Sequence, residues 1–137
     1  MAEINQMAYT NMEQRENIIK AYVEAYNNKD VKGMLQDMAE EIVFENVSGG
    51  AVTLSIKGKA ELRAQAEQVL PVFTQRKQTI GAFSHTGDQT TIAIDYHAVL
   101  AIDLPNGLKK GDTLALAGQS VFTFSPEGKI TQLTDIS

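Results

Sequence analysis

Near Ile42 the spacing of apolar residues changes from threes and fours to strict alternation, and after one further helical stretch it alternates to the end of the sequence. A helix repeats its faces every 3.6 residues and a strand every 2, so the switch separates a helical part from a sheet part. Before it, Ile18, Ile19, Tyr22, Val23, Ala25 and Tyr26 share one helical face. Thr10-Asn11-Met12-Glu13 has the form of a capping box, which predicts a helix start there and leaves residues 1–9 as a flexible tail before a single domain over 10–137. Asn27-Asn28 suits the helix end, because Asn tolerates the left-handed conformation that stops a helix. Asp30 can cap a second short helix, with Val31, Met34, Leu35 and Met38 at i, i+3, i+4 and i+7.

After the switch, Ile42–Val47 and Ala51–Ile56 flank Ser48-Gly49-Gly50, which predicts a hairpin. Gly58 opens a third helix with Leu62, Ala66, Val69 and Phe73 on one face, and Pro71 should end or kink it. Strands are predicted over 76–85, 90–103, 113–124 and 129–136, joined by Gly-, Pro- and Asn-rich turns. In the second of these, Ile92, Ile94, Tyr96, Ala98, Leu100 and Ile102 share a side, opposite Thr91, Asp95, His97 and Asp103. Helices first and a meander of strands last is an α+β order, and a curved sheet closed by helices leaves a concave space between the layers.

Composition narrows the chemistry. With no cysteine in 137 residues, disulfides, thiolate zinc sites, iron–sulfur clusters and cysteine nucleophiles are excluded, and two histidines make a metal site a poor expectation. Neither metal nor cofactor is expected. A net charge of −5 with scattered basic residues argues against nucleic acid as a partner. Residues 1–6 lack the basic start and apolar run of a signal peptide, and no stretch approaches a membrane span, so the expected setting is cytoplasmic with no membrane partner.

Three segments carry a family resemblance. Tyr22-Val23-Glu24-Ala25-Tyr26-Asn27-Asn28-Lys29-Asp30, then Ile42-Val43-Phe44-Glu45-Asn46 with Lys57-Gly58-Lys59-Ala60-Glu61-Leu62-Arg63, then Phe122-Thr123-Phe124-Ser125-Pro126-Glu127-Gly128-Lys129-Ile130 stand in order over about residues 11–137. Together they resemble the nuclear transport factor 2-like superfamily, the cystatin-like cone shared by ketosteroid isomerases and SnoaL-like polyketide cyclases. That resemblance implies a curved, mostly antiparallel mixed sheet, with three helices from the N-terminal half enclosing a pocket. It also implies a homodimer through the outer sheet face, where His97, Val99, Ala101 and Val121 fall.

The same resemblance nominates site residues. In ketosteroid isomerases a first-helix tyrosine and a protonated aspartic acid hold the developing oxyanion, and a first-strand aspartate is the base. Tyr22 matches the tyrosine, whereas Asn46 stands at the base position and Ser120 at the acid position. Asn cannot hold a proton near neutral pH, so that mechanism loses its base. The closing Lys129-Ile130-Thr131-Gln132-Leu133-Thr134-Asp135 resembles the SnoaL-like ending "K-I-x-E-H-W-D", whose aspartate is the general acid/base; Leu133 and Thr134 replace its His-Trp pair.

Alternation puts Leu133 and Asp135 on one face, and burial among apolar walls would raise the Asp135 pKa into a useful range. The expected catalytic pair is Asp135 and Tyr22, with Asn46, Ser120, Tyr96, Phe44, Phe122 and Leu133 around a small apolar carbonyl-containing ligand. The chemistry implied is proton transfer beside a carbonyl: isomerisation, cyclisation or dehydration. Each residue also has a structural reading, Tyr22 as a core tyrosine and Asp135 as a solvated strand end. The alternative for the whole chain is a non-catalytic dimeric binding or assembly module, its cavity filled by Phe44, Phe73, Tyr96 and Phe122. Hydrolysis by a trapped water would need an Asp-Arg-Asp set, of which Asp135 with Arg63 or Arg76 supplies only part.

Overall fold

Six strands and three helices build the domain in a computed structural model that describes the backbone of residues 2–137 and the side chains of residues 11–137. In chain order they are α1 (Ala2–Asn27), α2 (Val31–Leu35), β1 (Met38–Ser48), β2 (Ala51–Lys57), α3 (Lys59–Val69), a 3-10 turn at Leu70–Val72, β3 (Phe73–Thr86), β4 (Gln89–Leu100), β5 (Thr113–Phe124) and β6 (Ile130–Ile136). The sheet order is β2-β1-β6-β5-β4-β3. Every neighbouring pair is antiparallel except β1 and β6, which run parallel. The architecture is therefore α+β with a mixed, mostly antiparallel sheet, as the order of periodicities implies. No helix among the described residues is long and apolar enough to cross a membrane.

The helical part follows its local signals with two corrections. The α1 backbone runs unbroken from Ala2 through Thr10, so Thr10 is not a helix start. Its side chain, like those of the tail expected over 1–9, lies outside the described residues. The helix ends at Asn27 as expected, but the left-handed residue is Lys29, with φ 58°. Two bonds close a Schellman motif around it, from Asp30 N–H to the Ala25 carbonyl at 2.8 Å and from Lys29 N–H to the Tyr26 carbonyl at 3.1 Å. The Lys29 ammonium donates to the Phe73 carbonyl at 2.6 Å, which helps hold a residue type that rarely adopts this conformation. Asp30 caps α2 through Gly33 N–H at 3.0 Å.

Met38 and Phe73, placed by helical spacing on α2 and α3, instead open β1 and β3. The β1–β2 hairpin turns on Gly49 and Gly50, with φ of 59° and 80° between paired Ser48 and Ala51. Positive φ at both central residues is the type I′ geometry that matches strand twist, and glycine reaches it without strain. β4 stops at Leu100 and not at Asp103, because the chain turns there: Gly111 N–H donates to the Leu100 carbonyl and Leu100 N–H to that of Asp112. Ile102 consequently leaves the inner face and is exposed.

Ile19, Ile42, Ile92, Phe122, Ile130 and Leu133 are the enclosed centre of the core, between α1 and the inner face of the sheet. β6 is an interior strand, bonded to β1 on one side and β5 on the other. Asp135 therefore sits on a strand held along both edges. At the β5–β6 end, a Cβ on Gly118 would run into the carbonyl oxygen of Ile136, so glycine there lets the two backbones approach closely.

Candidate functional site

Strand register lines up side chains across the inner face. One row runs Leu54 on β2, Asn46 on β1, Asp135 on β6, Ser120 on β5 and Ile92 on β4. The next runs Ile56, Phe44, Leu133, Phe122 and Thr90. Polar groups fill the middle of the first row, and apolar groups most of the second. Tyr22 and Tyr26, one helical turn apart on α1, lie over them, while α3 closes the far side with Leu62 and Gln65.

A cavity of about 190 Å³ remains between these layers, and Tyr22, Tyr26, Phe44, Asn46, Arg76 and Asp135 are among its walls. A wider depression of about 340 Å³ continues it outward and adds Gln78, Tyr96 and Ser120. Tyr26, Asn46 and Asp135 line both, so they stand where the mouth meets the interior. The structure thus brings Tyr22, Phe44, Asn46 and Asp135 to the inner cavity and Ser120 and Tyr96 to its mouth. Phe122 and Leu133 are correctly on the inner face but fully enclosed, and they floor the core without lining either space. Tyr22 covers Phe122, its ring meeting the other edge-on with centroids 5.7 Å apart.

The electrostatics of the row are specific. Ser120 Oγ donates to Asp135 Oδ1 at 2.7 Å. Burial pushes the Asp135 carboxyl up to about 6, against the opposing pull of the Ser120 hydrogen bond. Burial first, and the nearby Asp135 charge second, push the Tyr22 phenol well above its ordinary value. Tyr22 therefore remains an O–H donor. Among the described residues it has no hydrogen-bond partner and no enclosed polar side-chain atom is left unpartnered, so its hydroxyl opens onto the cavity. Tyr26 O–H donates to the Tyr96 oxygen at 3.1 Å, which ties the mouth to α1. Replacing Ser120 by Ala removes the bond that favours the charged carboxylate; the Asp135 carboxyl should then titrate above its wild-type value in a ¹³C NMR titration, and an unchanged midpoint would contradict the assignment.

Periodicity alone did not single out Arg76 or Tyr26 as walls of this site. Tyr26 carried a usable signal, since it lies four residues after Tyr22 on the same face. Arg76 and Gln78 are buried on the inner phase of β3, where Ile80 continues the same side. The histidines stand apart: His97 is exposed on the outer face, and His85 joins Glu16 at 2.8 Å and Thr90 at 2.9 Å, away from the cavity.

The SnoaL-like domain model matches residues 19–133. Among curated protein sequences none matches the chain significantly. Solved structures with the same fold include a candidate polyketide cyclase from Xanthomonas campestris pv. campestris, 21% identical over 93% of this chain and 92% of that one, with a TM-score of 0.77. IdmH from Streptomyces antibioticus, also a candidate polyketide cyclase, is 16% identical over 90% and 91% at a TM-score of 0.72. An NTF2-like protein from Burkholderia pseudomallei K96243 is 16% identical over 89% and 88% at 0.70. At such identities the likeness concerns the fold alone.

Proposed function

The chain belongs to the SnoaL-like domain family, and we propose that it binds a small carbonyl compound in the inner cavity and moves a proton at the carbon beside that carbonyl. The observation that carries this reading is the placement of Asp135 and Tyr22 on one cavity, with the carboxyl of Asp135 raised by burial to about 6. Ionised Asp135 takes a proton from the carbon next to the carbonyl, and the electron pair left behind moves onto the carbonyl oxygen as an enolate. Tyr22 O–H donates a hydrogen bond to that oxygen, which lowers the barrier where negative charge develops. Asn46, beside Asp135 in register, can add a second donor. The proton held by Asp135 then returns to the same carbon, or to another position for isomerisation.

The open cavity supports ligand binding over a purely structural module. Phe44 lines it without filling it, Phe122 is packed beneath, and Phe73 and Tyr96 meet edge-on outside it at 6.4 Å between centroids. The hydrolytic alternative is not supported, because Asp135 is the one carboxylate among the described lining residues. A direct test incubates the protein with 2-tetralone in D₂O and follows loss of the protons next to the carbonyl by ¹H NMR. Exchange faster than in matched buffer is expected; a rate equal to buffer at every protein concentration would overturn the reading.

A further inference from the structure

Arg76 is a buried cation with no anion paired to it among the described residues. It is 6% exposed, on the inner phase of β3 opposite Ala98. Its Nε donates to the Tyr26 carbonyl at 3.0 Å, Nη2 lies 3.8 Å from the Met34 sulfur, and the guanidinium carbon sits 3.8 Å from the centroid of the Tyr26 ring. These contacts fix the plane of the guanidinium, yet none of them neutralises it. The ion pairs among the described residues join Arg63 to Glu67 and His85 to Glu16. Asp135, on the same cavity, accepts from Ser120 and forms no ion pair with Arg76.

A guanidinium carries five N–H donors in a rigid fork, and the contacts above use two of them. Among the described residues no enclosed polar side-chain atom lacks a partner, so Nη1, which has none, is not enclosed, and Arg76 is among the walls of the inner cavity. An uncompensated buried charge is costly, and the group best suited to meet a planar fork is a carboxylate bound through both oxygens. A neutral ligand would leave that cation unpaired while displacing the water that solvates it.

We propose that the ligand of this cavity is an acid, a carbonyl compound that also bears a carboxylate, with the carboxylate seated on Arg76 and the carbonyl directed to Tyr22 and Asp135. The assignment rests on the proton-transfer reading and adds to it the substrate class and the orientation. Tyr26 stacks beneath the guanidinium and is bonded at its hydroxyl to Tyr96, so it acts as a positioning residue for the fork.

Calorimetric titration with two probes of matched shape, 2-naphthoate and its neutral counterpart 2-acetonaphthone, separates the possibilities. The wild-type protein should bind 2-naphthoate about tenfold or more tightly than 2-acetonaphthone, as a charge-assisted bidentate contact requires. Arg76→Gln should abolish that preference, and Arg76→Lys, which keeps the charge without the fork, should retain part of it. Equal affinities in the wild type, no binding of 2-naphthoate, or a preference that survives Arg76→Gln would each overturn the proposal. Should a variant fail to fold, the wild-type pair of probes decides alone. Exchange at 2-tetralone without a carboxylate preference would count against this inference only. A carboxylate preference without exchange would count against the proton-transfer reading only.

Discussion

Asp135→Asn is expected to slow proton exchange at 2-tetralone by about 10²- to 10⁴-fold, the range that a positioned general base contributes. The substitution keeps the shape of the side chain and leaves an oxygen to accept from Ser120, so the cavity should survive it. What disappears is the group that holds the proton between its removal and its return. In the wild type the rate should rise with pH and level off above about 6, because only the ionised carboxylate accepts the proton. In Asp135→Asn that inflection should be lost together with the rate. A variant that keeps wild-type exchange would remove Asp135 from the chemistry.

The same substitution should make the fold more stable above pH 6. A folded carboxyl raised to about 6, against about 4 in the unfolded chain, binds more protons than its unfolded counterpart between those values. The contribution of Asp135 to stability is therefore full below about pH 4, falls as pH rises to about 6, and stays lowered above. A difference of about two pKa units corresponds to about 3 kcal/mol. Asn carries no charge to desolvate, so Asp135→Asn should exceed the wild type by up to about 3 kcal/mol at pH 7.5 and match it near pH 4. Other carboxylates titrate in both proteins and cancel in the comparison. Urea denaturation at the two pH values measures the difference; a variant equally or less stable at pH 7.5 would show that Asp135 is not held in a desolvated place. A native fold that keeps a destabilising charge is consistent with that charge serving chemistry.

Much of this was legible because the signals are local. Asp30 caps α2 through a bond three residues away, and Gly49-Gly50 makes the turn its dipeptide requires. Alternation placed Leu133 and Asp135 on one face, which is the inner face. The misplacements occur where tertiary contacts decide. The helix continues to Ala2 past a good capping box at Thr10, and β4 ends at Leu100 because the following loop bonds back to it. Whether an inward side chain lines a cavity or floors it depends on what covers it: Tyr22 sits on Phe122, whereas Asp135 one row away is left open. Arg76 lies on an inner phase that a break in pairing between Ile80 and Phe83 interrupts, so alternation along β3 does not carry its role.

If Asp135 carries the proton, two titrations must agree. The Asp135 carboxyl can be followed by ¹³C NMR with selective labelling, checked against Asp135→Asn, and the exchange rate of 2-tetralone measured over the same pH range. Both should turn at about pH 6. A carboxyl that titrates near its ordinary value of about 4, or an exchange rate that passes through pH 6 without inflection, would contradict the assignment of Asp135 as the proton carrier.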